Sequence, residues 1–133
     1  FFYMKHAFPE LKKTKGSVVN LSSGAGLFGK PGQSSYAAAK EGIRGMTRVA
    51  ATEWGPDGVR ANVICPLAMT EQLAAWKEEY PDTFAATIKG IPLGRFGDPK
   101  TDIAPVAVFL ASDMASYVSG ETITIQGGSG LRP

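Results

Sequence analysis

The chain has 133 residues, 44% of them apolar, and its 14 basic and 12 acidic side chains leave a formal charge of +2. That is one domain at most, and no basic stripe interleaved with aromatics is present, which excludes nucleic acid as an expected partner. The one cysteine, Cys65, rules out an internal disulfide framework, and no apolar run is long enough to span a bilayer, so a soluble, cytoplasmic protein with no membrane partner is expected.

The chain enters on FFYMKHAFPELKK with no capping residue ahead of it, and so reads as the carboxyl-terminal part of something longer. Phe1, Met4, Phe8 and Leu11 recur at helical spacing over residues 1 to about 14, with Pro9 arguing against one unbroken helix. Lys12, Lys13 and Lys15 before Gly16 suit a helix end. Val18, Val19 and Leu21 predict a short strand covered on both faces. A glycine-rich loop from Gly24 to Gln33 follows, and Ser34 or Ser35 is placed to cap the next helix. That helix runs to about Trp54, with Met46 and Trp54 in the core, and stops at Gly55-Pro56-Asp57-Gly58. Val59 to Cys65 reads as a second strand ended by Pro66. A helical, lid-like stretch broken near Pro81 spans Thr70 to about Lys89. Asp98-Pro99 predicts a cap and first turn, Ile103 to Ala111 a helix, and Thr122 to Ile125 a third strand before Gly127-Gly128. Strands alternating with helices predict an α/β fold with right-handed crossovers and a parallel sheet.

Gly24-Ala25-Gly26-Leu27-Phe28-Gly29 matches the G-x-G-x-x-G pattern of dinucleotide-binding turns. That pattern works where its glycines lead straight into a long helix whose N-terminus holds a pyrophosphate. Here Lys30-Pro31-Gly32 intervenes, so the glycines read as letting a loop pass close to a ligand.

Three side chains carry chemistry. Tyr36 and Lys40 lie four apart on one helix face, and an ammonium beside a phenol favours the phenolate, drawing its pKa down from about 10. A tyrosine so tuned serves as general acid and base. Ser23, where the first strand gives way to the loop, lies in the crevice at which open parallel sheets bind ligands, and its hydroxyl can hold a carbonyl oxygen. Each alone has a plainer reading, as a helix tyrosine or a turn serine. With His6 as the sole histidine, read as surface, neither a Ser-His-Asp triad nor a cysteine-ligated zinc site can be assembled, and no metal is expected.

The strand ending Asn20-Leu21-Ser22-Ser23-Gly24, the loop closing on Pro31-Gly32 and the run Tyr36-Ala37-Ala38-Ala39-Lys40 together resemble the short-chain dehydrogenase/reductase family. The interval from Ser23 to Tyr36 matches Ser23 rather than Ser22. Arg60 to Pro66 looks like the family's next strand, and Phe109 to Asp113, Ser119-Gly120 and Gly127-Gly128 look like its closing signature. The resemblance implies a Rossmann-like parallel sheet, residues 1–133 forming the catalytic and substrate-binding half of a doubly wound domain whose cofactor-binding half lies upstream. It implies an NAD- or NADP-dependent oxidoreductase acting on a small alcohol or ketone, with Tyr36 moving the proton, Lys40 bonding the nicotinamide ribose and Ser23 orienting the carbonyl. Pro66, Leu67, Met69 and Thr70 would lie along the nicotinamide. Gly24, Gln33, Ala68 and Trp76 would join Ser23 and Tyr36 around the substrate, under a lid of residues 70 to 90. Pairing as a homodimer or homotetramer is implied, with Ala37, Ala38, Gly42 and Gly45 as a small helix face. The first strand should present an unpaired edge. Leu67 and Gln126 depart from the family's usual glycine and aspartate. A non-catalytic, dimerising interaction module is the alternative from another class, and a Ser23 hydrolase fails for want of a base.

Overall fold

In the computed structural model, which describes residues 1–130, a parallel three-stranded sheet is enclosed between two helical layers. Strands β1 (Ser17–Leu21), β2 (Arg60–Pro66) and β3 (Thr122–Ile125) lie in the order β1-β2-β3, with Val18 opposite Ala61 and Ile64 opposite Ile123. β2 is central and Ala61–Cys65 are all buried, while β1 has a neighbour on one side only among the described residues, leaving the expected free edge.

Because side chains alternate along a strand, each strand feeds two cores. On one face Ala61 packs with Met4 of α1 (Phe2–Thr14) and Ala50 of α3 (Ser34–Trp54), joined by Val18, Met46 and Trp54. Phe8 of α1 stacks on Trp54 with ring centroids 4.7 Å apart. On the other face Ile64 packs with Ile103, Ala115 and Leu110 of α6 (Ala104–Ala111). Two polar side chains, buried Asn62 and half-buried Arg60, tie β2 to the chain that delivers β3. Asn62 donates to the Val118 carbonyl (2.8 Å) and accepts from the Glu121 N–H (3.0 Å), and Arg60 donates to the carbonyls of Leu110 (2.8 Å) and Ser112 (3.0 Å).

Four expectations need correction. Helix α1 is unbroken although Pro9 lies inside it; Pro9 and Lys5, four residues earlier, are both exposed, so solvent replaces the missing donor. Leu21 is 56% exposed, because β1 is an edge strand and its last residue runs past its cover. The stretch Gly24–Phe28 is not a loop but one helical turn, α2, which Ser23 caps by accepting the Ala25 N–H at 3.2 Å. Neither Ser34 nor Ser35 caps α3; Gln33 occupies that position and makes no side-chain cap bond.

The stretch expected to form a lid folds as two helices, α4 (Glu71–Glu79) and α5 (Pro81–Lys89), broken at Pro81 as the sequence predicts. It has a core of its own, Phe84, Ile91 and Phe96 with Leu73, Trp76 and Ile88. Its two stems meet where the Met69 N–H donates to the Gly97 carbonyl (2.8 Å) and the Gly97 N–H to the Leu67 carbonyl (3.0 Å). Among the described residues no helix is long and apolar enough to cross a membrane.

Candidate active site

Three parallel strands point their carboxyl ends the same way, and a cavity of about 690 Å³ opens where they stop. Each strand contributes to its wall: Ser23 and Gly24 after β1, Pro66 and Leu67 at the end of β2, and Gln126 after β3. Tyr36 enters from the first turn of α3, and Gln33 stands just before it. Ser23 and Tyr36, thirteen residues apart in sequence, therefore share one cavity.

Hydrogen bonds between β1 and α3 set that meeting. Asn20 Nδ2 donates to Thr47 Oγ1 (2.8 Å), Lys40 Nζ to the Leu21 carbonyl (3.2 Å), and Ser22 Oγ to the Lys40 carbonyl (2.8 Å). Ser22 is thus buried and structural, while its neighbour Ser23 faces the cavity. Tyr36 is 46% exposed, so its ring stands in the opening rather than in the core. Lys40 Nζ lies 5.6 Å from the centroid of that ring, the one-face arrangement that the four-residue spacing predicts. Lys40 is not part of the cavity wall.

The other expected residues divide. Gly24, Gln33, Pro66 and Leu67 line the cavity with Ser23 and Tyr36; Ala68, Met69, Thr70 and Trp76 do not. Trp76 turns its indole into the lid, edge-on to Phe84 at 5.7 Å, because the aromatic face of α4 needs a partner and α5 supplies it. Ala68 packs against the cluster of Ile64, Ile103, Leu110 and Ala115. Thr70 Oγ1 caps α4 by accepting the Leu73 N–H (3.2 Å), which leaves its own O–H to donate. The Met69 N–H is committed to Gly97.

Sequence reasoning missed Phe28, Lys30, Pro31, Gln72, Leu73 and Ser129 on the wall, and treated Gln126 only as a departure. The signal for Gln126 is Gly24: a Cβ at Gly24 would collide with Gln126 Nε2. A Cβ at Gly26 would likewise meet Glu41 Oε1 at 2.7 Å, and Gly29 (φ 67°) ends α2 in the left-handed region. The glycine run answers to contacts within the chain, and of its glycines Gly24 and Gly29 reach the cavity.

At the lid's return stem Arg95 holds Asp102 through two bonds (2.5 and 3.0 Å), and Asp102 also accepts the Asp98 N–H (2.6 Å). The Arg95 guanidinium, then that N–H, draws the Asp102 carboxyl down to about 2, and Arg95 is itself held above its ordinary value by Asp102. The Asp98 carboxyl is lowered by the Thr101 and Lys100 N–H groups that it caps.

A family model described as Enoyl-(Acyl carrier protein) reductase matches residues 1–130. The chain is 59% identical, over all 133 residues, to 51% of a 12α-hydroxysteroid dehydrogenase from a Clostridium species. Among solved structures, the Cj0485 dehydrogenase superposes with a TM-score of 0.91 at 35% identity, over 97% of this chain and 52% of that one. The NADPH-bound structure of a short-chain oxidoreductase from Pseudomonas aeruginosa superposes at 0.86 with 29% identity, over 98% and 52%. The chain spans about half the length of the curated relatives it matches.

Proposed function

The chain belongs to the short-chain dehydrogenase/reductase family, and on that premise we propose that its protein is an NAD(P)-dependent oxidoreductase interconverting an alcohol and a ketone or aldehyde. The observation that carries this reading is the cavity into which both Ser23 and Tyr36 open. A nicotinamide bound beside these residues would supply or remove the hydride at the substrate carbon. In reduction Tyr36 gives its phenolic proton to the carbonyl oxygen, and in oxidation it takes the alcohol's proton. Ser23 donates its hydroxyl hydrogen to the same oxygen, since its lone pair already accepts the Ala25 N–H. Lys40 keeps two of its three N–H donors after bonding the Leu21 carbonyl, and these suit the ribose hydroxyls of the cofactor. Pro66 ends β2 and Leu67 follows it, both on the cavity wall, and the O–H that Thr70 keeps, off that wall, suits a carboxamide oxygen.

The 59% identity to a hydroxysteroid dehydrogenase and the apolar wall of Phe28, Leu67 and Leu73 support a hydroxysteroid as the substrate class. Pairing of two copies through α3 is supported by Gly42 and Gly45, where a Cβ would meet nothing within 4 Å, and by an apolar groove of about 400 Å³ between α1 and α3. The test joins this chain to the amino-terminal half of the Clostridium relative and follows nicotinamide absorbance with a hydroxysteroid. Tyr36→Phe should lower turnover by about 10²- to 10⁴-fold with the fold intact; unchanged turnover refutes the role of Tyr36.

A further inference from the structure

Arg95 and Asp102 stand behind the cavity wall rather than on it. With Leu67, Gly97, Ile125 and Gly127 they line a second, smaller cavity of about 170 Å³, and Leu67 alone among the described residues borders both cavities. We infer that Arg95 is a positioning residue: by gripping Asp102 it fixes the segment on which Leu67 and Gln126 lean in the wall of the larger cavity. This rests on the proposed function for what that cavity does, and deepens it by naming a residue that shapes the cavity from outside.

Residues 91–96, which return the chain from α5 toward the sheet, form neither helix nor strand. Backbone bonds hold this return at two points. The Leu93 N–H donates to the carbonyl of Gly127 (3.0 Å), the residue after Gln126, and just beyond the return the Gly97 N–H donates to the Leu67 carbonyl (3.0 Å). The chain leaving β3 and the chain leaving β2 therefore both lean on it. Between the two holds lie Gly94, Arg95 and Phe96. Gly94 (φ 68°) has nothing within 4 Å of where a Cβ would stand, so no packing stiffens the turn there. The Arg95 side chain supplies the missing restraint. Its Nη1 and Nη2 each donate to one oxygen of Asp102 (2.5 and 3.0 Å), and Nη1 also donates to the Phe96 carbonyl (3.2 Å). A two-bond fork fixes orientation as well as distance. Asp102 is a firm anchor, since it also accepts the Asp98 N–H (2.6 Å) and its neighbour Ile103 is buried with Ile64 and Leu110. The pair adds only modestly to stability, because the Arg95 side chain is 57% exposed and that of Asp102 28%. What it secures is position. Without the fork, binding itself must order the segment, and that cost falls on affinity rather than on the chemical step.

The experiment has two arms. In this chain, isotopically labelled, Arg95→Gln and Asp102→Asn should each move the Leu67 methyl and Gln126 side-chain amide resonances. Lys13→Gln, which breaks the exposed pair with Glu10, should move neither. In the joined protein, Arg95→Gln and Asp102→Asn should each raise the KM for a hydroxysteroid about three- to fivefold, the most an exposed pair can carry, with kcat within about twofold. The double variant should lose no more than the larger single loss, because both changes cut one link. A pair that only stabilised the fold would instead lower the active fraction, and so kcat, at unchanged KM. Unmoved Leu67 and Gln126 resonances, an unchanged KM, or losses that multiply in the double variant overturn the inference. If the resonances move but the joined protein turns nothing over, the positioning stands and the oxidoreductase reading alone fails.

Discussion

Asn62 offers the most direct test of how the cavity's far wall is held. It has no exposure and spends its amide on two backbone groups, the Val118 carbonyl and the Glu121 N–H, on the segment that leads into β3 and Gln126. Asn62→Leu keeps the branched outline of the side chain, with bulkier methyl ends, and removes both bonds. The Glu121 N–H then loses its acceptor, and the Val118 carbonyl keeps only a long contact from Arg60 Nη1 at 3.5 Å. A buried polar group left unpaired costs about 1–3 kcal/mol, so one orphan and one weakened acceptor together destabilise by about 2–4 kcal/mol. In urea, with a slope of about 1–3 kcal/mol per molar, the midpoint should fall by roughly 1–2 M at unchanged slope. Trp54 fluorescence and far-UV circular dichroism should report it together. Thr52→Ala, which removes an exposed hydroxyl bonded to the Arg48 carbonyl, serves as the control and should stay within about 0.5 kcal/mol. A midpoint for Asn62→Leu no lower than the control's refutes the assignment of β3's position to these two bonds.

Ser22→Ala removes the hydroxyl that bonds the Lys40 carbonyl and should cost only about 0.5–1.5 kcal/mol of stability, yet lower kcat in the joined enzyme more than it raises KM, because it loosens α3 beside Tyr36. Equal kcat at reduced stability would make Ser22 a mere stabiliser. Asp102, whose folded value of about 2 lies below the usual 3.8, contributes stability that is present above that usual value and is lost as pH falls through about 2. Melting curves from pH 5 to 2 should therefore fall more steeply for the native chain than for Asp102→Asn, and the same slope in both refutes the contribution.

The large features were legible because each rests on a local rule. Short apolar runs marked the three strands, Gly55 to Gly58 ended α3, and Pro81 broke the stretch that follows β2. Ser23 and Tyr36 in one cavity follow from parallel strands that end on one side. What escaped depended on partners distant in sequence. No propensity predicts a helix in Gly24–Phe28, where two of five residues are glycine; it forms because Ser23 caps it and α3 lies beside it. Helical spacing gave Trp76 an inward face without saying that Phe84 would fill it. Gln126 and Ser129 lie about a hundred residues from Ser23, and only the sheet order brings them to its cavity.

The placing of the proposed reactive pair, Ser23 and Tyr36, comes down to helix register. Lys40 and Thr47, seven residues apart, stand two turns apart on one face of α3, and β1 grips both: Thr47 through Asn20, Lys40 through Leu21 and Ser22. Sliding α3 by one residue would turn that face by about 100° and break all three bonds at once. Tyr36 lies one turn before Lys40 on the same face, so the grip that fixes Lys40 also points Tyr36 toward the end of β1. Successive residues there turn to opposite sides, which sends Ser22 inward to the grip and Ser23 outward to meet the tyrosine. A half-exposed phenol and a rim hydroxyl thus need no contact with each other to stay matched. Their alignment resides in buried bonds one residue away, and the cavity between them is left free for a substrate.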